Sequence, residues 1–261
     1  MIQGITEFLP VSSSGHLVVA QHLFGLTEPQ LLLDVMLHLG TLLAVIVVFR
    51  SDITGIVKGI QHGLMSTTTS DRTDVMYRRL FWLVVVATLP TVVVGLLLKD
   101  FVDSLFGSPI LVGCAFLATG GVLWISRFAK HNDKDVDRVS VLAALLIGIS
   151  QALAITPGIS RSGTTISVAL LLGMDRGLAG RFSFLMAIPA IAGAAVLQLR
   201  DATDFPPEVW PTVAIGTLVA AVSGYVALRI LMRIVTRGNF SGFAYYCWGI
   251  GILTLSFVAD W

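Results

Sequence analysis

Six apolar stretches, each about 18–21 residues long, dominate this chain of 261 residues. At a rise of about 1.5 Å per residue, each is long enough to cross a hydrocarbon core of about 30 Å as an α-helix. The composition agrees, because 55% hydrophobic and only 13% charged residues argue against a water-soluble enzyme or a disordered chain. The predicted spans are Leu31–Phe49, Leu80–Leu98, Ile110–Phe128, Phe182–Leu199, Pro211–Leu231 and Gly242–Ala259.

Two further apolar regions are interrupted and do not resemble plain spans. Residues 1–24 are broken by Pro10 and a serine-rich run, and residues 139–174 are broken by Pro157, Gly158 and a second hydroxyl-rich run. A break at membrane depth frees backbone N–H and C=O groups, which is tolerated only where the chain is buried in protein or lines a wet cavity. We therefore predict an all-α integral membrane protein, a single domain over 1–261, with six transmembrane helices and two re-entrant half-helix pairs.

The two breaks resemble each other, and three predicted spans follow each of them. The chain thus divides into two units, approximately 1–128 and 139–261. An odd number of spans per unit turns the second copy upside down in the membrane, an arrangement found in many transporters. The alignment pairs Gly4–Glu7 with Gly148–Gln151, and Ser13–His16 with Arg161–Thr164.

The basic residues support one orientation of these units. Fourteen of the 17 Lys and Arg residues lie in four segments on the same side of the predicted spans. Because cytoplasmic segments carry an excess of Lys and Arg, this side is predicted to be the cytoplasmic one. Both termini then face outside, and the tips of the two re-entrant pairs meet near the midplane. The net charge of +1 gives no basic field for nucleic acid. The four segments are 50–79, 127–138, 175–181 and 229–237.

Ionisable groups at membrane depth are costly and mark functional sites by default. Glu7 and Arg161 lie one on each break, so the predicted repeat brings them together. Asp34 and His38 share one helix face, for which ordinary packing or a supporting contact is the favoured interpretation. The full set is Glu7, His16, Asp34, His38 and Arg161, with Gln3 and Gln151 as uncharged companions.

The run around Arg161 suits an anion. It opens a helix, whose free N–H groups and dipole favour negative charge, and arginine adds a planar fork that matches phosphate oxygens. The alternative is that Arg161 only pairs with Glu7 and the hydroxyls only cap a broken helix. We favour the anion site, because pairing alone does not require so many Gly, Ser and Thr residues. The predicted phosphate-binding residues of both breaks are Ser12, Ser14, Gly15, Ser160, Ser162, Gly163, Thr164 and Thr165.

The first break also carries residues suited to catalysis. The serine run and His16 lead into a predicted helix over Leu17–Phe24. A cleft holding Ser13, His16 and the Glu7 carboxylate beside Arg161 favours a catalytic role over a capping cluster. Gln3 and Glu7 lie on one helix face at i, i+4. This pair could bind a metal, act as a base or orient the site.

Three segments of the sequence resemble the undecaprenyl-diphosphate phosphatase family, also called UppP/BacA. They are Gln3–His16 (QGITEFLPVSSSGH), Pro157–Thr165 (PGISRSGTT) and Phe182–Pro189 (FSFLMAIP). The resemblance extends over essentially the whole chain. It implies a multi-pass protein of the bacterial cytoplasmic (inner) membrane that removes the terminal phosphate of undecaprenyl diphosphate, with an active site open to the outer face. Recycling of that lipid carrier would serve peptidoglycan and envelope polymer synthesis and would be linked to bacitracin resistance.

The resemblance also implies the roles of particular residues. Glu7, Ser13, His16 and Arg161 are the expected catalytic residues, and Mg²⁺ or Ca²⁺ is the expected cofactor, with Glu7 and Gln3 as its ligands. Family members carry further apolar residues before the first motif, so we expect a misplaced start or a shortened first half-helix.

Three alternatives stay open from the sequence. Ser13 either attacks the terminal phosphorus or positions a water. A transporter or flippase of polyprenyl phosphate is the rival function, because inverted repeats with re-entrant tips also build transporters. A homodimer is a possible assembly, and the oligomeric state stays open.

Overall fold

The computed structural model describes residues 1–23, 31–65, 71–98, 101, 104–105, 108–129, 133–201 and 209–259. In the first half of the chain the helices are α1 (Ile2–Phe8), α2 (Ser13–Leu23), α3 (Leu31–Val48), α4 (Arg50–Met65), α5 (Arg72–Leu97) and α6 (Pro109–Ile125). In the second half they are α7 (Val141–Leu153), α8 (Arg161–Leu171), α9 (Arg176–Asp201), α10 (Trp210–Arg237) and α11 (Phe243–Ala259). Short 3₁₀ turns lie at Ser126–Phe128, Val136–Arg138 and Phe240–Gly242.

Five of the six predicted spans are confirmed as helices that are long and apolar enough to cross a membrane. The sixth, predicted at Leu31–Phe49, corresponds to α3, which bends by 73° into α4 and counts as a span only together with it. The chain is therefore an all-α, multi-pass membrane protein. The five helical segments are Arg72–Leu97, Pro109–Phe128, Arg176–Gln198, Trp210–Arg237 and Phe240–Phe257.

The segment 50–79, interpreted as a cytoplasmic loop between the first two spans, is largely helical. Its first part forms α4, and its last part begins α5 at Arg72. Ile53 and Ile56 pack against the main hydrophobic core, and Asp52 pairs with Arg181 at the start of α9. The charged residues of this segment suggested a loop, but its apolar residues lie on one face of a helix. A helix with one apolar face typically packs against other helices.

Both predicted helix breaks are confirmed, and both have the same local cause. Pro10 follows the end of α1, and Ser12 caps α2 by accepting a bond of 3.3 Å from the N–H of Gly15. After α7, Gly158 has a φ of 93°, and Ser160 caps α8 by accepting a bond of 3.1 Å from the N–H of Gly163. Each break therefore ends one half-helix and directs the N-terminus of the next toward the interior.

Glycines allow the first half-helix of each pair to touch a span of the opposite predicted unit. A Cβ added to Gly4 would lie 2.7 Å from the carbonyl oxygen of Ala220 in α10. A Cβ added to Gly148 would lie 2.2 Å from the carbonyl oxygen of Ala87 in α5. The predicted repeat places these two glycines in equivalent positions. The repeat itself stays a prediction.

We expect Gly148→Ala to destabilise the protein, because the added methyl group must push α7 away from α5. Overpacking of this kind typically costs about 1–3 kcal/mol. Gly121→Ala is the matched control, since nothing lies within 4 Å of a Cβ at that helical position. Thermal unfolding of the purified variants in detergent checks this, and equal midpoints for Gly148→Ala and Gly121→Ala would contradict the close contact.

Candidate active site

The carboxylate of Glu7 is the centre of the polar contacts between the two breaks. The residue is only 8% exposed, at the end of α1. Its Oε1 pairs with the guanidinium of Arg161, the first residue of α8. Its Oε2 accepts bonds from Gln3 Nε2 at 2.9 Å and from Ser13 Oγ at 2.6 Å. The structure thus brings together four predicted site residues from three helices.

A histidine of the first span joins this cluster. His38 Nε2 lies 3.7 Å from Glu7 Oε2, and its Nδ1 lies 2.7 Å from the backbone carbonyl of Asp34 one turn earlier in α3. Because a carbonyl oxygen only accepts, Nδ1 carries a proton and the ring is fixed with Nε2 toward Glu7. The sequence favoured ordinary packing or a supporting contact for His38, and the structure places it at the carboxylate.

The tips of the two breaks touch each other. A Cβ added to Gly15 would lie 2.9 Å from the Cα of Gly158, and one added to Gly163 would lie 3.2 Å from the Cβ of Pro10. Ser162 Oγ donates to the carbonyl of Leu9 at 3.4 Å. No larger side chain fits at Gly15 without movement. The close approach of the tips therefore depends on residues without side chains.

The other predicted phosphate-binding hydroxyls divide into engaged and unengaged groups. Ser12 Oγ contacts Ser14 Oγ at 3.3 Å, and Ser12 has a φ of 64°, the only positive value of a non-glycine residue in the described chain. Thr165 Oγ1 lies 2.7 Å from the carbonyl oxygen of Arg161 and 2.6 Å from Ser183 Oγ, and it forms hydrogen bonds with both. Among the predicted phosphate-binding hydroxyls of the described residues, only Thr164 Oγ1 is buried without a hydrogen-bond partner. The hydroxyls of Ser12 and Thr165 already have protein partners.

A threonine that the sequence did not single out holds the second break in place. Thr119 of α6 donates to the carbonyl of Gly158 at 3.0 Å and accepts from the N–H of Ser160 at 3.1 Å. It is almost fully buried. A lone threonine in an apolar span gives no sequence signal for such a role.

His16 lies apart from the Glu7 cluster. Its Nδ1 lies 2.7 Å from the carbonyl of Ser12, and its Nε2 lies 2.8 Å from the hydroxyl of Tyr246 in α11. The described hydrogen bonds of His16 do not reach Glu7 or Arg161. The predicted catalytic set is thus split between a charged cluster and a His16–Tyr246 pair.

Two apolar grooves flank α1. The smaller, about 340 Å³, is lined by His16, Tyr246 and apolar residues of α1, α2, α6 and α11. The larger, about 650 Å³, lies between α1 and α10 and follows α10 from Leu218 to Ile230. Ile5 lines both grooves. A polar site thus borders surfaces suited to hydrocarbon.

The described residues do not form a metal site ready for a cation. They contain no group of three or more His, Cys, Asp or Glu side chains that could hold one. Both carboxylate oxygens of Glu7 accept hydrogen bonds from protein donors. Of the two predicted metal ligands, only Gln3 has a buried oxygen, Oε1, without a partner. Mg²⁺ needs an octahedron of oxygen ligands, so one amide oxygen does not fit it. The metal roles of Gln3 and Glu7 stay a prediction.

The fold and the site define a multi-pass membrane protein with a charged, hydroxyl-lined site where two broken helices meet. Two helix N-termini and Arg161, whose side chain is 16% exposed, suit an anionic group. A profile of the family described as "Bacitracin resistance protein BacA" matches residues 1–253. The chain belongs to this BacA family.

Individual relatives match along almost their full length. A Desulfosudis oleivorans protein named undecaprenyl-diphosphatase is 48% identical over 260 residues, covering 98% of this chain and 94% of that protein. A Halothermothrix orenii protein with the same name is 41% identical over 257 residues, with coverage of 98% and 94%. One from Methanobrevibacter smithii is 42% identical over 265 residues, with coverage of 97% and 93%.

We expect Glu7→Gln and Arg161→Gln each to destabilise the protein strongly, because each leaves one charge of the pair buried alone. Breaking such a pair typically costs about 3–5 kcal/mol. The double variant Glu7→Gln/Arg161→Gln removes both charges, so its loss should be smaller than the sum of the single losses. Unfolding free energies in detergent measure the coupling, and strictly additive losses would show that the pair does not interact.

Proposed function

We propose that this protein hydrolyses undecaprenyl diphosphate to undecaprenyl phosphate and inorganic phosphate. The observation that carries the proposal is the cluster of Glu7, Ser13 and Arg161 at the meeting point of the two breaks. It combines a cation for phosphate, a hydroxyl and a carboxylate that accepts from that hydroxyl. The names of the relatives support the same substrate.

The head group is held by Arg161 and by the N-termini of α2 and α8. The guanidinium offers several N–H donors in a plane, so it can bind phosphate oxygens while it stays near Glu7. Stabilisation of charge on the transferring phosphoryl group is the main requirement of such a reaction. The engaged hydroxyls of Ser12, Ser160 and Thr165 keep the two helix starts in place.

The geometry favours Ser13 as the nucleophile over a water. Its hydroxyl already donates to Glu7 Oε2 at 2.6 Å, so the carboxylate can take the proton as Oγ attacks the terminal phosphorus. The bond from phosphorus to the bridging oxygen breaks, and undecaprenyl phosphate leaves with that electron pair. A water then attacks the phosphoserine and gives a proton to His16. The bond from Ser13 Oγ to phosphorus breaks, Glu7 returns its proton to Oγ, and phosphate is released.

The polyprenyl chain lies along α1, beside Ile5, which lines both apolar grooves. Isoprenoid units bury only hydrocarbon, and most side chains that line the two grooves are apolar. Ile5, beside the tail, and Glu7, at the head group, are two residues apart, which is about 3 Å along the axis of α1.

The membrane placement is part of the same proposal. The location of fourteen of the 17 basic residues supports a cytoplasmic-membrane protein with both termini outside, built from inverted units 1–128 and 139–261. The equivalent contacts of Gly4 and Gly148 support the two units. Every residue of the proposed site comes from one chain, and the homodimer stays a prediction. Dependence on Mg²⁺ or Ca²⁺ is proposed from the family resemblance alone.

The purified protein in detergent should release one phosphate per undecaprenyl diphosphate. Detergent micelles have no second compartment, so a pure transporter or flippase of polyprenyl phosphate would release none. Colorimetric phosphate measurement with and without EDTA tests both the reaction and the proposed metal. Absence of phosphate release in either buffer and with added Mg²⁺ or Ca²⁺ would refute the phosphatase.

Arg161→Lys should remove most of the turnover, because a point charge does not replace the planar fork. Arg181→Lys is the matched control, since Arg181 also pairs with a mostly buried carboxylate, that of Asp52, outside the site. Initial rates of phosphate release compare the two. Wild-type rates in Arg161→Lys would refute its role in holding the phosphate.

Ser13→Ala should abolish turnover almost completely if the serine is the nucleophile. A water-based reaction would instead be reduced only in part. Ser51→Ala, in the exposed first turn of α4, is the control and should keep full activity. Rapid quenching with substrate labelled in the terminal phosphate should trap label on the wild-type protein. Substantial residual turnover in Ser13→Ala would favour the water route.

A further inference from the structure

Both ring nitrogens of His16 have partners, and the partners differ in what they can do. The partner of Nδ1 is the carbonyl oxygen of Ser12 at 2.7 Å, and a carbonyl oxygen only accepts. Nδ1 therefore carries a proton. In the neutral ring Nε2 is then unprotonated, and its lone pair accepts a hydrogen bond from the hydroxyl of Tyr246 at 2.8 Å.

The rings around His16 fix its plane. The Tyr246 ring is stacked on it, with centroids 5.8 Å apart and an interplanar angle of 11°. Phe116 meets the His16 ring edge-on, at 5.2 Å and 78°. Phe116 is fully buried, whereas Tyr246 is 49% exposed, and both line the smaller groove. One buried ring and one half-exposed ring thus contact the histidine.

Tyr246 reaches His16 from the opposite end of the chain. The two residues are 230 positions apart, and α11 brings the hydroxyl into a groove whose other lining residues, apart from His16 and Thr6, are apolar. A hydroxyl among apolar side chains needs a hydrogen-bond partner, and for Tyr246 that partner is the ring of His16. Packing alone would be met by phenylalanine.

We propose that Tyr246 is a positioning residue that, by donating to Nε2, holds the His16 ring with this nitrogen unprotonated at the smaller groove. When Nε2 takes a proton, the Tyr246 hydroxyl, which can also accept, turns and accepts from it. This inference rests on the proposed function, in which His16 receives a proton during hydrolysis of the phosphoserine. His16 follows Ser13 by three residues on α2, so the two side chains lie on neighbouring parts of the same helix face. Tyr246 acts through His16 and does not itself contact the reacting phosphorus.

Tyr246→Phe removes the hydroxyl and keeps the stacked ring, so folding is expected to be preserved. Tyr245→Phe is the matched control. Tyr245 is the preceding residue, and its ring packs on Trp124 and Trp248 at 5.6 and 6.0 Å, away from His16. Thermal unfolding midpoints of both variants should equal that of the wild type within a few degrees.

The first readout is turnover of undecaprenyl diphosphate. We expect Tyr246→Phe to lower kcat about tenfold, the scale of one hydrogen bond, with KM nearly unchanged. Tyr245→Phe should keep the wild-type kcat. A fall in both kcat and stability would indicate a structural role only and would overturn the proposal.

The second readout does not depend on activity. Diethyl pyrocarbonate attacks the free electron pair of a neutral imidazole, and peptide mass spectrometry resolves the modification of His16 from that of the four other histidines. Tyr246→Phe should raise the modification rate of His16 several-fold and leave the rate of His38 unchanged. Tyr245→Phe should leave both rates unchanged.

The outcomes separate this inference from the proposed function. A wild-type kcat in Tyr246→Phe, or an unchanged modification rate at His16, overturns the role of Tyr246. His16→Ala tests the underlying role of the histidine. If His16→Ala turns over at the wild-type rate, the proton role of His16 fails even when the modification rates show the contact with Tyr246.

Discussion

The ion pair of Glu7 with Arg161 is the interaction on which the rest of the site depends. Removing either charge from water is costly, and mutual attraction offsets that cost only when the geometry is good and further hydrogen bonds satisfy the remaining atoms. Gln3 and Ser13 supply such bonds to Glu7, and His38 adds a nearby ring nitrogen. Because the two charges come from different breaks, the pair also holds the two halves of the site together.

The broken helices explain how polar groups reach membrane depth. Each break stops a half-helix and caps the next one with a serine, which accepts from one N–H group. The helix start, with its remaining N–H groups, points inward. Gly15 and Gly158 then let the two tips approach to contact distance. Thr119 fixes the second break from outside. A phosphate group would meet a preorganised surface and would compete with Glu7 for part of the guanidinium of Arg161.

Much of this arrangement could be predicted because it follows from composition and from local chemistry. Spans follow from the thickness of the bilayer, and breaks follow from Pro10, Pro157 and Gly158. The meeting of Glu7 and Arg161 followed from the similarity of the two breaks. The helix α4 was missed because its charges matched a cytoplasmic loop, although its apolar face packs on the core.

Contacts between distant helices left no signal in the sequence. Tyr246 lies in an apolar run that also contains other aromatic residues, so nothing distinguished it as the partner of His16. His38 was noted, but only the fold shows that α3 turns it toward Glu7. Ser160 was predicted to bind phosphate, but its hydroxyl caps α8 and its backbone N–H donates to Thr119.

The central claim is that one site, built from both breaks, binds the terminal phosphate. An experimental structure with a non-hydrolysable methylene analogue of the polyprenyl diphosphate tests it most directly. The claim predicts terminal phosphonate oxygens within about 3 Å of the Arg161 guanidinium and of Ser13 Oγ, with the tail beside Ile5. A head group bound away from both breaks, with the Glu7–Arg161 pair undisturbed and no contact to Ser13, would contradict it.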